Sequence, residues 1–360
     1  MKIGIITFHW GANYGGVLQA YALQQFLKKN IKGSEVSIIN YVPKTPTQSL
    51  FKCIATRKIK YIPSNLITYF KERNFVPFRD KNLILTKKYS SLKELQEDPP
   101  ELDVYITGSD QVWNPYIINK HGTPYFLTFG DKSIKRISYA VSFGCTEYPE
   151  RELSLIKPFI EKFDVLSVRE NTGLSILEKV GITKVELMPD PTLLLEESDL
   201  ERLISEKKKT KSKKFIFFYI LQENQNCIQE IYNYLKSRKG IKTINTKRLR
   251  FSTINIESWL FNIKYAKCII TNSFHGVVFS ILFNKNFIVV PIEGRHKGMN
   301  DRIYTLLNKF DLNDRILEKY DEALINSKID NPIDWNKVNQ TKKRVSSLAS
   351  EFLKNGIINP

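Results

Sequence analysis

Cysteine is scarce: Cys53, Cys145, Cys227 and Cys268 are scattered through 360 residues with no CxxC pair. That argues against a zinc ribbon and a disulfide framework, and for the reduced thiols of a cytosolic protein. Histidine is equally rare, with four in the chain. No HExxH, DxD or clustered Cys/His spacing occurs, so no metal is expected. GxGxxG and the GK[ST] of a Walker loop are missing, as is the GxSxG of a serine nucleophile. No apolar run approaches the roughly 20 residues of a membrane-spanning helix. The opening MKIGIITF is too short and too strand-like for a signal peptide. A cytoplasmic protein is expected.

Carboxylates are also in short supply, with 37 Asp and Glu against 55 Lys and Arg and a net charge of +18. The excess is dispersed apart from one knot, ERLISEKKKTKSKK, and no RNA- or DNA-binding motif accompanies it. Nucleic acid is therefore not expected as a partner. A basic surface still favours anionic small substrates and a weak, peripheral association with the anionic inner face of a membrane.

What is abundant is alternation. KIGIITF (2–8), EVSIIN (35–40), DVYIT (103–107) and IKRISYAVSFG (134–144) read as buried strands, with helices between them. DVLSVRE (164–170) and KVELM (184–188) continue the series. Beyond the lysine knot, FIFFYIL (215–221), CIIT (268–271) and NFIVVP restart it, and an amphipathic helix near 336–354 ends the chain. Residues 45–100 are mixed, with prolines and aromatics, and suit a helical insertion. Such alternation implies parallel sheets covered on both faces, here in two units with ligands at the carboxyl ends of strands. The length also suits two domains. The boundaries expected are 1–200, a lysine-rich linker at 201–214, 215–330, and a C-terminal helical segment at 331–360.

Polar loops follow the confident strands. HWGANYGG (9–16) offers His9, Asn13, Tyr14 and Gly15 ahead of a helix N-terminus suited to an anion. A plain glycine turn is the alternative. TGSDQVWN (107–114) offers Ser109, Asp110 and the ring face of Trp113 to sugar hydroxyls; alternatively Asp110 is a helix cap. SVRE (167–170) places Arg169 at a strand end, where it forms a surface salt bridge or, in a cleft, offers a fork that matches a carboxylate or phosphate. TNSFHGVVFS (271–280) sets Ser273, His275 and Gly276 at a strand-to-helix corner, and Arg295, Lys297 and Arg302 follow the next strand.

The ordered stretches TFHWGANYGGVLQAYALQ, ITGSDQVWN, SYAVSFG, SVRE, DPTLLL and TNSFHGVVFSILFNKNFIVVP resemble the bacterial polysaccharide pyruvyl transferase family, over about residues 1 to 315. The resemblance implies an α/β fold of the GT-B glycosyltransferase type, two Rossmann-like domains facing across a cleft. The first would be the acceptor side and the second the donor side, with the C-terminal helix packing back on the first. It implies transfer of the enolpyruvyl group of phosphoenolpyruvate to a sugar, free or lipid-linked, to form a pyruvate ketal in capsule, exopolysaccharide or cell-wall synthesis. No cofactor is implied beyond that donor substrate. His275 and Arg169 match the family's donor-binding histidine and second arginine. Ser273 stands where the family's Arg–x–His has its arginine, which leaves Arg295, Lys297 or Arg302 to supply the charge. The implied catalytic pair is His275 as acid and Asp110 on the acceptor. Two other classes stay open: a nucleotide-sugar glycosyltransferase, and a non-catalytic homologue that binds an anionic glycan.

Overall fold

The β-branched run KIGII forms strand β1 (Lys2–Ile6), all but its first residue buried. A strand buried on both faces needs no polar alternation, and this is the usual signature of a parallel sheet. The structure is a computed structural model that describes residues 1–43, 49–54, 61–117, 123–204, 215–222, 226–249 and 252–358. Most of the expected lysine-rich linker, 205–214, lies outside the described residues. The chain divides into two units, Met1–Leu194 with Ser346–Pro360, and Leu195–Val345.

In unit 1, β2 (Glu35–Tyr41), β3 (Leu85–Tyr89), β4 (Val104–Thr107) and β5 (Lys135–Ser138) join β1 in the order β3-β2-β1-β4-β5. Every pairing is parallel. Helix α1 (Tyr14–Asn30) connects β1 to β2, capped by Asn13, whose side chain accepts from the Gly16 amide. Between β2 and β3 lie α2 (Leu50–Ile54), α3 (Ile62–Arg73) and α4 (Val76–Asn82), so residues 45–100 hold an edge strand as well as helices. Helices α5 (Leu92–Glu97), α6 (Glu150–Ile160) and α7 (Asn171–Glu178) follow, with the short parallel pair β6 (Ser167–Val168) and β7 (Glu186–Leu187). The chain runs from β1 outward to β3, then returns to the other side of β1 for β4. The order therefore reverses between β1 and β4, where ligands of open α/β sheets bind.

Unit 2 repeats the plan with β8 (Phe215–Tyr219), β9 (Lys242–Asn245), β12 (Cys268–Thr271) and β13 (Asn286–Val289) in the parallel order β13-β12-β8-β9. A small antiparallel pair, β10 (Lys247–Leu249) and β11 (Ser252–Thr253), stands apart. The helices are α8 (Glu197–Glu201), α9 (Asn226–Ser237), α10 (Ile256–Tyr265), α11 (Phe274–Leu282), α12 (Asp301–Phe310) and α13 (Glu322–Asp330). The order reverses between β8 and β12. The last helix, α14 (Trp335–Ile358), ends in unit 1, where Phe352 lies 6.2 Å from the Tyr139 ring. Among the described residues, no helix is long and apolar enough to cross a membrane.

One buried side chain organises the entrance to β5. The Arg136 guanidinium donates to the carbonyls of Leu127 (3.2 Å), Phe129 (3.1 Å), Asp131 (2.9 Å) and Ile134 (2.7 Å). These carbonyls belong to an irregular loop that has no ladder of its own, so the fork takes the place of a strand. Arg136→Met keeps the stem and strands the carbonyls. It is expected to cost about 3 kcal/mol, read as a lowered urea midpoint at constant slope.

Candidate functional site

The expected residues divide between the two units: His9 and Asp110 follow β1 and β4 at the reversal point of unit 1 and His275 follows β12 at that of unit 2, whereas Arg169 follows β6 and Arg302 lies on α12 after β13. In unit 1, His9 follows β1 and is buried, with Nδ1 3.2 Å from the Thr7 carbonyl and Nε2 3.1 Å from Asn40 Oδ1. Burial pushes its pKa below the ordinary 6.5, against the raising effect of those two hydrogen bonds. Asn13 is exposed and spends its side chain on the helix cap. Tyr14 is buried with its ring 4.9 Å from Phe75, and Gly15 is buried beside it in the first turn of α1.

After β4 the backbone turns sharply, with Asp110 in the left-handed region at φ 70°. A non-glycine residue held there is strained, and such strain clusters at functional sites. Ser109 is fully buried; its hydroxyl donates to the Ala140 carbonyl and its amide to Gln19 Oε1. Asp110 Oδ1 accepts from the Gln111 amide. Trp113 does not offer a ring face. It is fully buried, stacked on Phe126 at 5.3 Å, edged by Phe143 and Phe163, and its Nε1–H donates to the Tyr125 carbonyl. An indole in an apolar run beside a turn packs inward because burial is worth more than exposure of the ring.

Arg169 was expected to meet an anionic ligand, and its side chain is only 1% exposed. Its fork meets protein carboxylates instead: Asp190 Oδ2 at 2.6 Å and Asp110 Oδ1 at 3.5 Å. Burial alone would lower its pKa, yet Asp190, Asp110 and Glu170 together raise it, so the guanidinium stays charged. Asp190 and Glu170 were not foreseen as site residues. Asp190 Oδ1 also accepts from the Thr192 amide and hydroxyl. Glu170 Oε1 gathers the Ser142 hydroxyl and the amides of Phe143 and Gly144. The stretches SVRE and DPTLLL carried both residues, but sequence gives no sign that they close on one arginine. Asp190 and Asp110 pair with this cation and Glu170 acts on it electrostatically, while a second cation, Arg79, donates to the Gly11 carbonyl and acts on His9.

In unit 2, Ser273 caps α11 by accepting from the Gly276 amide at 3.4 Å. Gly276 lets the helix approach β12 closely, since a Cβ there would lie 2.3 Å from Thr271 Oγ1. His275 is buried beside Phe274, with ring centroids 5.2 Å apart. The Arg302 guanidinium lies 5.7 Å from the Phe274 ring and donates through Nε to the Met299 carbonyl. Lys297 is exposed on the short helix Gly294–Asn300, and the side chain of Arg295 lies outside the described residues. Asn272, which sequence reasoning passed over, ties the ends of two strands: its Oδ1 accepts from the Leu221 amide at 2.7 Å and its Nδ2 donates to the Gln222 carbonyl at 3.0 Å. Among the described residues, no group of three or more His, Cys, Asp or Glu is placed to hold a metal.

Two sheets with reversed strand order, each presenting polar loops at its carboxyl end, define a two-domain α/β fold of the GT-B type. The chain belongs to the polysaccharide pyruvyl transferase family, whose model matches residues 13–294. A Listeria monocytogenes protein assigned as a UDP-N-acetylglucosamine 2-epimerase shares the fold at TM-score 0.54 and 10% identity, over 98% of this chain and 96% of that one. The UDP-GlcNAc 2-epimerase of Methanocaldococcus jannaschii gives 0.50 and 11%, over 97% and 99%. S. aureus MnaA in complex with UDP gives 0.51 and 11%, over 98% and 96%. No curated protein sequence matches the chain.

Two outcomes are expected. Asp190→Asn removes the shorter partner of a buried guanidinium and should destabilise unit 1 by about 3 kcal/mol, seen as a lower unfolding midpoint. For His9, the folded pKa lies below the unfolded 6.5. Its stabilising contribution is therefore complete above that pH. It is lost as pH falls towards the folded value, because the unfolded chain takes up the proton first. The loss amounts to at most about 1.4 kcal/mol per pH unit. Unfolding free energies of wild type and His9→Asn measured across this range should converge in the acid, and parallel curves would refute the assignment.

Proposed function

We propose that this chain is a pyruvyl transferase that moves the enolpyruvyl group of phosphoenolpyruvate onto a sugar of a glycan precursor. Its family is one of transferases, and the observation that carries the finer reading is the contrast between the polar groups of the two units. In unit 2 a helix N-terminus, His275 and Arg302 stand together, a setting that favours an anion. In unit 1 Asp110, Asp190 and Glu170 stand against Arg169 and Arg79, a setting rich in acceptors for hydroxyls. The donor is assigned to unit 2 and the sugar to unit 1, with Arg169 positioning Asp110 rather than holding the donor.

The chemistry follows. A sugar hydroxyl adds to C2 of phosphoenolpyruvate while a proton reaches C3 and turns the methylene into a methyl group. Phosphate leaves with its C–O bonding pair, and a second hydroxyl adds to the same carbon and closes the ketal. The two hydroxyl protons balance the one gained at C3 and the one that departs with phosphate. His275 is the proposed proton source at C3, and Asp110 orients the attacking hydroxyl. A second reading, transfer from a nucleotide sugar, draws on the fold shared with the UDP-sugar epimerases; a nucleotide sugar also carries phosphate.

Thermal shift separates the two. Phosphoenolpyruvate should raise the melting temperature more than pyruvate, with the difference reduced by salt. Stabilisation by UDP-sugars alone would favour the second reading. His275→Gln should leave the melting curve in place and lower single-turnover phosphate release by roughly a hundredfold. Unchanged release from folded His275→Gln protein would end its catalytic role.

A further inference from the structure

A cavity of about 380 Å³ opens in unit 2 between the end of α12, the short turn Asn313–Arg315, α13 and the entry to α14. None of its lining residues belongs to the polar loops after β8 and β12. The volume is in the range of small-molecule sites, and Phe310, Leu312, Leu324, Ile333 and Val338 give it apolar walls. Arg315, which also lines it, is only 4% exposed. Its Nε donates to the Phe287 carbonyl at 3.1 Å and its Nη2 to the Lys328 carbonyl. Nη1 has no acceptor within hydrogen-bond distance among the described residues; its ion-pair contact, Asp314 Oδ2, stands 3.8 Å away on a mostly exposed side chain. A buried donor left in that state is costly, and a ligand oxygen would relieve it.

The charges around the cavity do not cancel. Asp311 pairs with Lys337, and Asp334 Oδ1 accepts from the Asn336 and Lys337 amides at the start of α14. Asp314 is set against Arg315. Lys328 then remains: its Nζ donates to the Asp314 carbonyl and has no carboxylate within ion-pair distance among the described residues. Burial, and after it the neighbouring Arg315, push its pKa below the ordinary value, against the opposing pull of Asp314. We propose that this cavity binds a small carboxylate carried on a compact apolar group such as an aromatic ring. One oxygen would accept from Arg315 Nη1 and the other from a free N–H of Lys328, with the apolar body against Phe310, Leu312 and Val338. A single uncompensated cation suits a singly charged anion better than a phosphate dianion. The inference is independent of the donor and is read without turnover.

The test uses the full chain with benzoate as the probe, followed by calorimetry and ligand-observed NMR. Benzoate should bind saturably, one per chain. It should bind more tightly than acetate, which lacks the apolar body, or benzyl alcohol, which lacks the charge. Lys328→Gln keeps a donor for the Asp314 carbonyl and should weaken benzoate about tenfold, with the melting temperature near that of wild type. Ser327→Phe fills the cavity from an exposed position and should remove binding. His275→Gln should leave it unchanged. Absence of saturable binding to wild type would overturn the proposal, as would equal binding to wild type and both cavity variants. Loss of binding in His275→Gln but not in Lys328→Gln would also overturn it, by moving benzoate to the corner after β12. Tighter binding of phenyl phosphate than of benzoate would overturn the choice of a singly charged anion.

Discussion

A parallel sheet ends abruptly. At the carboxyl end of each strand the backbone leaves its ladder, and every buried amide and carbonyl there needs a partner that is neither strand nor water. Both units of this chain meet that demand with short polar side chains that reach from one strand end to the next. In unit 1, Ser138 Oγ donates to the Ser167 carbonyl while Ser167 Oγ donates to the Ser138 carbonyl and accepts from the Ala140 amide. Thr7 Oγ1 donates to the Ser109 carbonyl and accepts from Gln19 Nε2. In unit 2, Thr271 Oγ1 donates to the Tyr219 carbonyl and accepts from the Ser273 amide. The loops that follow these strands are held by these links.

Arg169 is the most demanding member of this set. A buried guanidinium is tolerable only with its charge matched, and matching it requires two loops to deliver carboxylates to one place. Asp110 comes from the turn after β4 and Asp190 from the segment after β7, so three strand ends are fixed by one cation. Asp110 and Ala140 both hold positive φ, at 70° and 46°, which neither side chain favours. Strain retained at a strand-reversal point, beside an ion cluster, is the sort of feature a ligand-binding loop carries.

Strands were the most legible part of the sequence, because burial on both faces writes them as continuous apolar runs such as CIIT and FIFFY. Their register and order were not, since pairing in a parallel sheet is set by distant contacts. β3 escaped notice because LTKKY is an edge strand with one buried residue and two lysines, a pattern that edge strands share with loops. Helix α12 is hard to read in the sequence because the basic loop EGRHKGMNDR leads into it, so that Arg302 reads as a loop residue although it lies in the helix's first turn. In the candidate site the sequence located the loops but could not sort the roles within them. Ser109, Asn13 and Trp113 are residue types that bind sugars, and they are equally the types that close strand ends, cap helices and fill cores. Only the partner distinguishes these uses, and the partner lies far away in the chain: Gln19 for Ser109, Tyr125 for Trp113.

The same reasoning explains Ser273. An arginine two residues before His275 would bring a charge to the corner after β12 but no short acceptor for the start of α11. Serine supplies that acceptor, taking the Gly276 amide, and the loop can then turn tightly against Thr271. Arg302, carried on α12, stacks on Phe274 and places a cation beside the same helix start without crowding it. The corner thus obtains its cap and its positive charge from two elements where one residue would have had to choose between them.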